Sequence, residues 1–115
     1  MHLLIESANY KLMKDNKLYE ILDLIEEITK VDKMIDIHRG SSETTIMLEQ
    51  YQHQKLKLSA YLFKELISNS GDKTGVMYLI KIFIDKFYSK EIKNRKIVKD
   101  EQLERIEDLL LKKIS

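Results

Sequence analysis

The sequence predicts an all-α protein: an antiparallel, coiled-coil-like helical hairpin with additional C-terminal helices, together a small helical bundle. Three observations point there. The chain of 115 residues has no proline and only three glycines, which lie in two short stretches, residues 38–42 and 69–75. Glycine and proline are the strongest local breakers of regular structure, so these stretches are the expected turns. Between them apolar residues recur at alternating spacings of three and four, the pattern of one helix face. Cysteine is absent, which removes disulfides, thiolate metal sites and thiol nucleophiles as organising elements. At this length a single hydrophobic core is feasible without such staples, and 43% hydrophobic with 34% charged residues suits folding over disorder. The expected organisation is one helical domain over residues 1–115, with a hairpin at 18–68, a connector at 69–75 and a C-terminal helical arm at 76–114.

The opening stretch from Leu3 to Lys14 carries Leu4, Ala8, Lys11 and Leu12 at helical spacing before Lys14, Asp15, Asn16 and Lys17 make a polar break. It reads either as a short helix or as an extension of the next. From Leu18 to His38, the residues Ile21, Leu24, Ile28, Val31, Ile35 and His38 form a seam broadened by Leu18, Leu22 and Ile25. Lys17, Glu20, Asp23, Glu27, Lys30 and Lys33 take the opposite face. Gly40 suits the left-handed position that closes a helix, and Ser41 or Ser42 suits the cap of the next.

The second arm, Glu43 to Ser68, puts Met47, Leu48, Tyr51, Leu58, Tyr61, Leu62 and Leu66 on one face, interrupted by Gln52, His53, Gln54 and Lys55. Antiparallel counting from Gly40 pairs Ile35 with Met47, Val31 with Tyr51, Ile28 with Gln54 and Leu24 with Leu58. A polar layer near Gln54 would set register at some cost in stability; the simpler expectation is that Gln52 to Lys55 faces water.

Val76 to Tyr88 fits either a strand or a helix face of Val76, Leu79, Ile80, Phe83, Ile84 and Phe87. Helix is preferred, because a strand would have only residues 92–99 as a mate and a two-stranded ribbon is marginal in water. Asp100 suits the cap of a last helix from Glu101 to Ile114. There Leu103, Ile106, Leu110 and Ile114 form the stripe, Glu101 and Glu104 complement the N-terminus, and Lys112 and Lys113 suit the other end.

The net charge of +1 is unevenly spread. Lys17 to Ile37 carries three bases and six acids, whereas Lys81 to Lys99 carries seven bases and two acids. Such asymmetry steers partners or pairs one arm with another. Lys86, Lys90, Lys93, Arg95, Lys96 and Lys99 are the candidate contacts for a nucleic acid or an acidic partner, with Tyr88 available for stacking. Against this, arginine, the better recognition group, occurs only at positions 39, 95 and 105. A seven-residue connector at 69–75 is also longer than a helix-turn-helix uses.

Enzymatic chemistry finds little support. Ser70-x-x-Lys73 and Lys73-Thr74-Gly75 match fragments of the serine β-lactamase signatures, but they share one lysine where that site needs two; a connector explains them better. Glu49 and His53 lie one helical turn apart, yet two ligands do not close a zinc site, and His2 and His38 are remote in sequence. No serine-histidine-acid pattern, phosphate loop or paired carboxylate emerges. Catalytic, cofactor and metal residues are therefore not assigned. The expected function is a non-enzymatic protein-protein interaction module, self-associating as a homodimer, with Leu56, Phe63, Met77 and Ile82 as interface candidates because they lie off the main stripes. A small nucleic-acid-associated factor using residues 86–99 is the alternative. No membrane partner or small-molecule substrate is indicated, and a cytoplasmic location is the default without a signal-peptide core or a long apolar run.

Overall fold

A computed structural model describes residues 12–40, 45–95 and 98–112. Among these residues there are five helices and no strand, so the all-α expectation holds. The helices are α1 (Asp15–Arg39), α2 (Thr45–Asn69), α3 (Lys73–Phe87), α4 (Ser89–Asn94) and α5 (Glu101–Leu111). Contacts divide the chain into two compact units, residues 1–82 and 83–115, with the boundary inside α3.

The first unit is organised by α1 and α2, which pack closely as the predicted hairpin. On α1 the buried residues are Ile21, Leu24, Ile28, Val31 and Ile35, as the spacing predicts. Ile28 and Ile35 are fully buried, each contributing about 1.5–3 kcal/mol relative to exposure. Asp15 occupies the first turn and His38 and Arg39 the last, so the charges at both ends oppose the helix dipole.

The buried line of α2 differs from the predicted one. Lys55, Ser59, Leu62 and Leu66 are buried, whereas Met47 and Tyr61 are exposed. The seam runs through Lys55 because the spacing from Leu66 back through Leu62 and Ser59 continues at three and four. Gln54 and His53 do face water and Gln52 is half-buried, but Lys55 is 2% exposed. The expectation of a solvated Gln52–Lys55 segment is thus corrected at its last residue.

Register is also adjusted near the turn. Tyr51, predicted opposite Val31, instead stacks on His38 with ring centroids 5.3 Å apart. At the open end the same antiparallel count brings Lys17 beside Glu65, and these meet at 3.1 Å. Gly40 itself lies in the right-handed region (φ −79°, ψ −7°), not the left-handed one predicted. The proposed caps Ser41 and Ser42, and the opening stretch through Lys11, lie outside the described residues.

The second break is shorter than predicted. Only Ser70, Gly71 and Asp72 separate α2 from α3, because Lys73, Thr74 and Gly75 already form the first turn of α3. Asp72 caps that turn, its Oδ1 accepting from the Gly75 N–H at 2.9 Å. A Cβ on Gly75 would lie 2.3 Å from Asp72 Oδ2, so a larger residue here would push the Asp72 carboxylate out of its capping position. The Lys73 ammonium donates back to the carbonyls of Ile67 and Ser70, satisfying the end of α2. A three-residue link removes the length argument against a helix-turn-helix. Val76 is the buried residue of α3 within this unit.

In the second unit, Phe83 and Phe87 are buried one turn apart on α3, with ring centroids 4.6 Å apart. The helix predicted for Val76 to Tyr88 is therefore present, three residues longer at its start and one shorter at its end. Tyr88 leaves helical geometry (φ −127°, ψ 6°) before α4. Asp100 caps α5 as predicted, accepting from the N–H groups of Gln102 at 2.9 Å and Leu103 at 3.3 Å. That helix ends at Leu111, short of the predicted Ile114.

Candidate functional site

The hairpin surface holds a groove of about 280 Å³ formed by one side of α1 and the outer edge of α2. Its floor is apolar: Ile21 and Leu24 from the α1 seam, with the half-exposed ring of Tyr61 from α2. Glu20, Asp23 and Glu27 rise from α1 at spacings of three and four, and Glu65 stands across from them on α2. The helical period therefore places three carboxylates in a row along one wall.

Lys17 closes one end of the groove. Its ammonium lies 2.9 Å from Glu20 and 3.1 Å from Glu65, and these hydrogen bonds raise its pKa above the ordinary lysine value. Glu65 is held below the usual carboxylate range, first by the Lys17 hydrogen bond, against some desolvation, with a smaller lowering contribution from Asn69. The side chains of Asp23 and Glu27 make no ion pair or hydrogen bond with any described residue. One wall of the groove thus carries uncompensated negative charge above an apolar floor.

Nearer the turn, the hairpin contains a second polar feature. Lys55 Nζ lies 2.8 Å from Asp32 Oδ1, with the lysine side chain 2% exposed and the aspartate side chain 29% exposed. Beside it the buried Ser59 hydroxyl donates to the Lys55 carbonyl at 2.7 Å. A lysine at a seam position needs a charged partner. The sequence reading missed this pair; an aspartate on the edge of one seam and a lysine in the apolar line of the other were the available signal.

The basic residues predicted as contacts are divided among several segments rather than set along one continuous helix. Lys86 is in the last turn of α3, its ammonium 5.4 Å from the Phe87 ring centroid. Lys90 and Lys93 are on α4, Arg95 is its C-cap, and Lys99 lies in the approach to α5. All five are exposed; Lys96 lies outside the described residues. Lys93, Arg95 and Lys99 form no ion pair with any described residue.

Of the predicted interface residues, Leu56, Met77 and Ile82 are exposed and Phe63 is half-buried. Leu56 and Phe63 sit on α2, Met77 and Ile82 on α3. More apolar surface lies on α5, where Leu103, Ile106, Leu109, Leu110 and Leu111 are 49–78% exposed. The sequence identified that stripe as a packing face but not as an open one.

Glu49 and His53 are both exposed on α2, and no group of three or more metal-ligating residues occurs among the described residues. His38 is engaged with Tyr51 instead. Ser70 and Lys73 serve the break between α2 and α3: the Ser70 hydroxyl accepts from the Asp72 N–H at 3.2 Å while Lys73 caps α2. No described helix is long and apolar enough to cross a membrane. Comparison of the chain with protein-family models, curated proteins and solved structures finds no match, so its functional reading rests on its own geometry.

Proposed function

We propose that this protein is a non-enzymatic helical interaction module that self-associates through exposed helix faces, as a homodimer or a larger assembly. The observation that carries the proposal is α5. It is 11 residues long, and helices shorter than about 12–15 residues are marginal in water without packing of an apolar face. Its Asp100 cap contributes only about 1 kcal/mol. Yet its leucines and isoleucine stand open, with Glu101, Glu104, Glu107 and Asp108 on the same short helix. A contiguous apolar stripe with a charged surround is the usual mark of a protein-binding surface. The non-enzymatic part of the proposal rests on the sequence, which has no nucleophile-base or phosphate-loop pattern.

Sedimentation velocity across about 1–100 μM, where a specific but modest dimer passes through half-saturation, tests the proposal. The wild-type chain should shift to higher mass over that range. Ile106→Lys with Leu110→Lys should return it to monomer while the α1–α2 hairpin keeps its helicity. A wild-type chain that remains monomeric throughout overturns the reading.

A nucleic-acid-associated role is the second reading. The exposed Lys93, Arg95 and Lys99 favour it, because unpaired cations are what phosphate contacts require.

A further inference from the structure

Self-association needs a seat for the second copy, and the hairpin groove has the chemistry of one. Its volume of about 280 Å³ falls just below the range of small-molecule sites, about 300–1,000 Å³. It is open along the hairpin surface, so it suits a side chain laid in from a neighbouring protein better than a ligand that must be enclosed. Ile21, Leu24 and Tyr61 offer apolar contact beneath the charged wall.

Asp23 and Glu27 are one turn apart on α1, and Glu20 is within a turn of Asp23. Like charges at this spacing weaken a helix. Lys17 answers Glu20 and Glu65, but nothing described answers the other two. A like-charge pair left uncompensated on the surface fits a site where a partner compensates it.

The same chain carries the complementary pattern. Ile92 is 58% exposed, and Lys93, Arg95 and Lys99 follow it within two turns' length of chain, all exposed and without ion pairs to described residues. An exposed apolar residue with cations close by in the chain matches an apolar floor walled by carboxylates in both polarity and sign.

We propose that the acidic-walled groove of one copy receives Ile92, with Lys93, Arg95 and Lys99, from a second copy. The contact rests on the self-association reading above and adds a second contact beside the exposed α5 stripe. It joins two different patches, so two copies exchange it reciprocally in a closed pair or pass it on into a ring or chain. It is also electrostatic at its rim and therefore weakens with salt.

A charge swap on the full-length chain tests it. The groove variant is Asp23→Lys with Glu27→Lys; the ridge variant is Lys93→Glu, Arg95→Glu and Lys99→Glu. All five positions are exposed, and circular dichroism establishes that each variant keeps wild-type helicity. Association is followed by sedimentation at about 50 mM and about 500 mM salt, conditions that bracket strong and weak screening. Each variant alone should self-associate at least about 100-fold more weakly at low salt, because both leave like charges facing each other. Their equimolar mixture, and a chain carrying both sets, should recover wild-type association, since opposite signs again meet.

The inference is overturned if the wild type self-associates and either variant does so equally well, which leaves the module reading intact and removes the groove. It is also overturned if both variants weaken but the mixture and the combined chain stay weak. Retardation of duplex DNA by the wild type, lost in the ridge variant while self-association persists in it, assigns the cations to nucleic acid and overturns the inference as well. A wild-type chain that is monomeric under all these conditions removes the inference and the module reading together.

Discussion

Replacing Asp32 by asparagine is the sharpest probe of the hairpin, because it removes a charge while keeping the shape of the side chain. Lys55 would then hold its ammonium at 2% exposure with its 2.8 Å counter-charge gone. At that separation and an effective dielectric near 20, the attraction is about 6 kcal/mol before desolvation. Desolvating the ammonium costs several kcal/mol, so the intact pair contributes little net stability. Breaking it is different: loss of one partner from a buried pair costs about 3–5 kcal/mol. The Asp32 side chain is 29% exposed, which admits water to the vacated charge, and Lys55 keeps a further interaction besides Asp32, so the expected loss falls below that range, about 2 kcal/mol.

Urea unfolding followed by circular dichroism measures this directly, with the midpoint read at unchanged slope. Lys55→Met should behave oppositely, staying within about 1 kcal/mol of wild type or exceeding it, because an apolar side chain of similar length suits the seam. The two substitutions together should recover most of the loss, leaving a coupling of about 2 kcal/mol. An Asp32→Asn chain within about 0.5 kcal/mol of wild type would refute the reasoning, since a surface substitution does no more than that.

Two further outcomes follow from local geometry. Gly40→Ala should stabilise by about 0.4–1 kcal/mol in the same urea assay, because Gly40 has right-handed dihedrals and, among the described residues, a new Cβ would meet nothing nearer than Ile37 O at 3.7 Å. The depressed pKa of Glu65 means that its contribution is present above the ordinary carboxylate pKa of 4.5 and is lost as pH falls through the lower folded value. Thermal melts should show a stability loss in that acid window that is smaller in Glu65→Gln, and an equal loss in both chains would remove the assignment.

The legible parts of the fold are those in which one helix alone carries the signal. On α1 every seam position from Ile21 to Ile35 is aliphatic, so periodicity identifies the buried face without knowing what covers it. Asp100 was readable for the same reason, since a cap and the N–H groups it accepts from are neighbours in the chain. At the second break, Thr74 and Gly75 obscured the start of α3, because turn-forming residue types also serve in a capped first helical turn. The candidate groove was half legible. Glu20, Asp23 and Glu27 stood out as a charged face, but that face was assigned to water because Tyr61 and Glu65 lie on another helix, some forty residues away.

Lys55 marks where the two sources of information part. A polar residue in an apolar line looks like an interruption, and only an opposing helix can reveal that its charge is answered. The sequence by itself determined the helical class, the hairpin and the α1 core, because these depend on the period of the backbone and on breakers acting within a few residues. The tertiary structure decided the face of α2 that is buried, the pairing of Lys55 with Asp32, and the meeting of an acidic wall with an apolar floor. Those depend on the register and rotation of one helix against another, which side-chain packing sets and no single helix encodes.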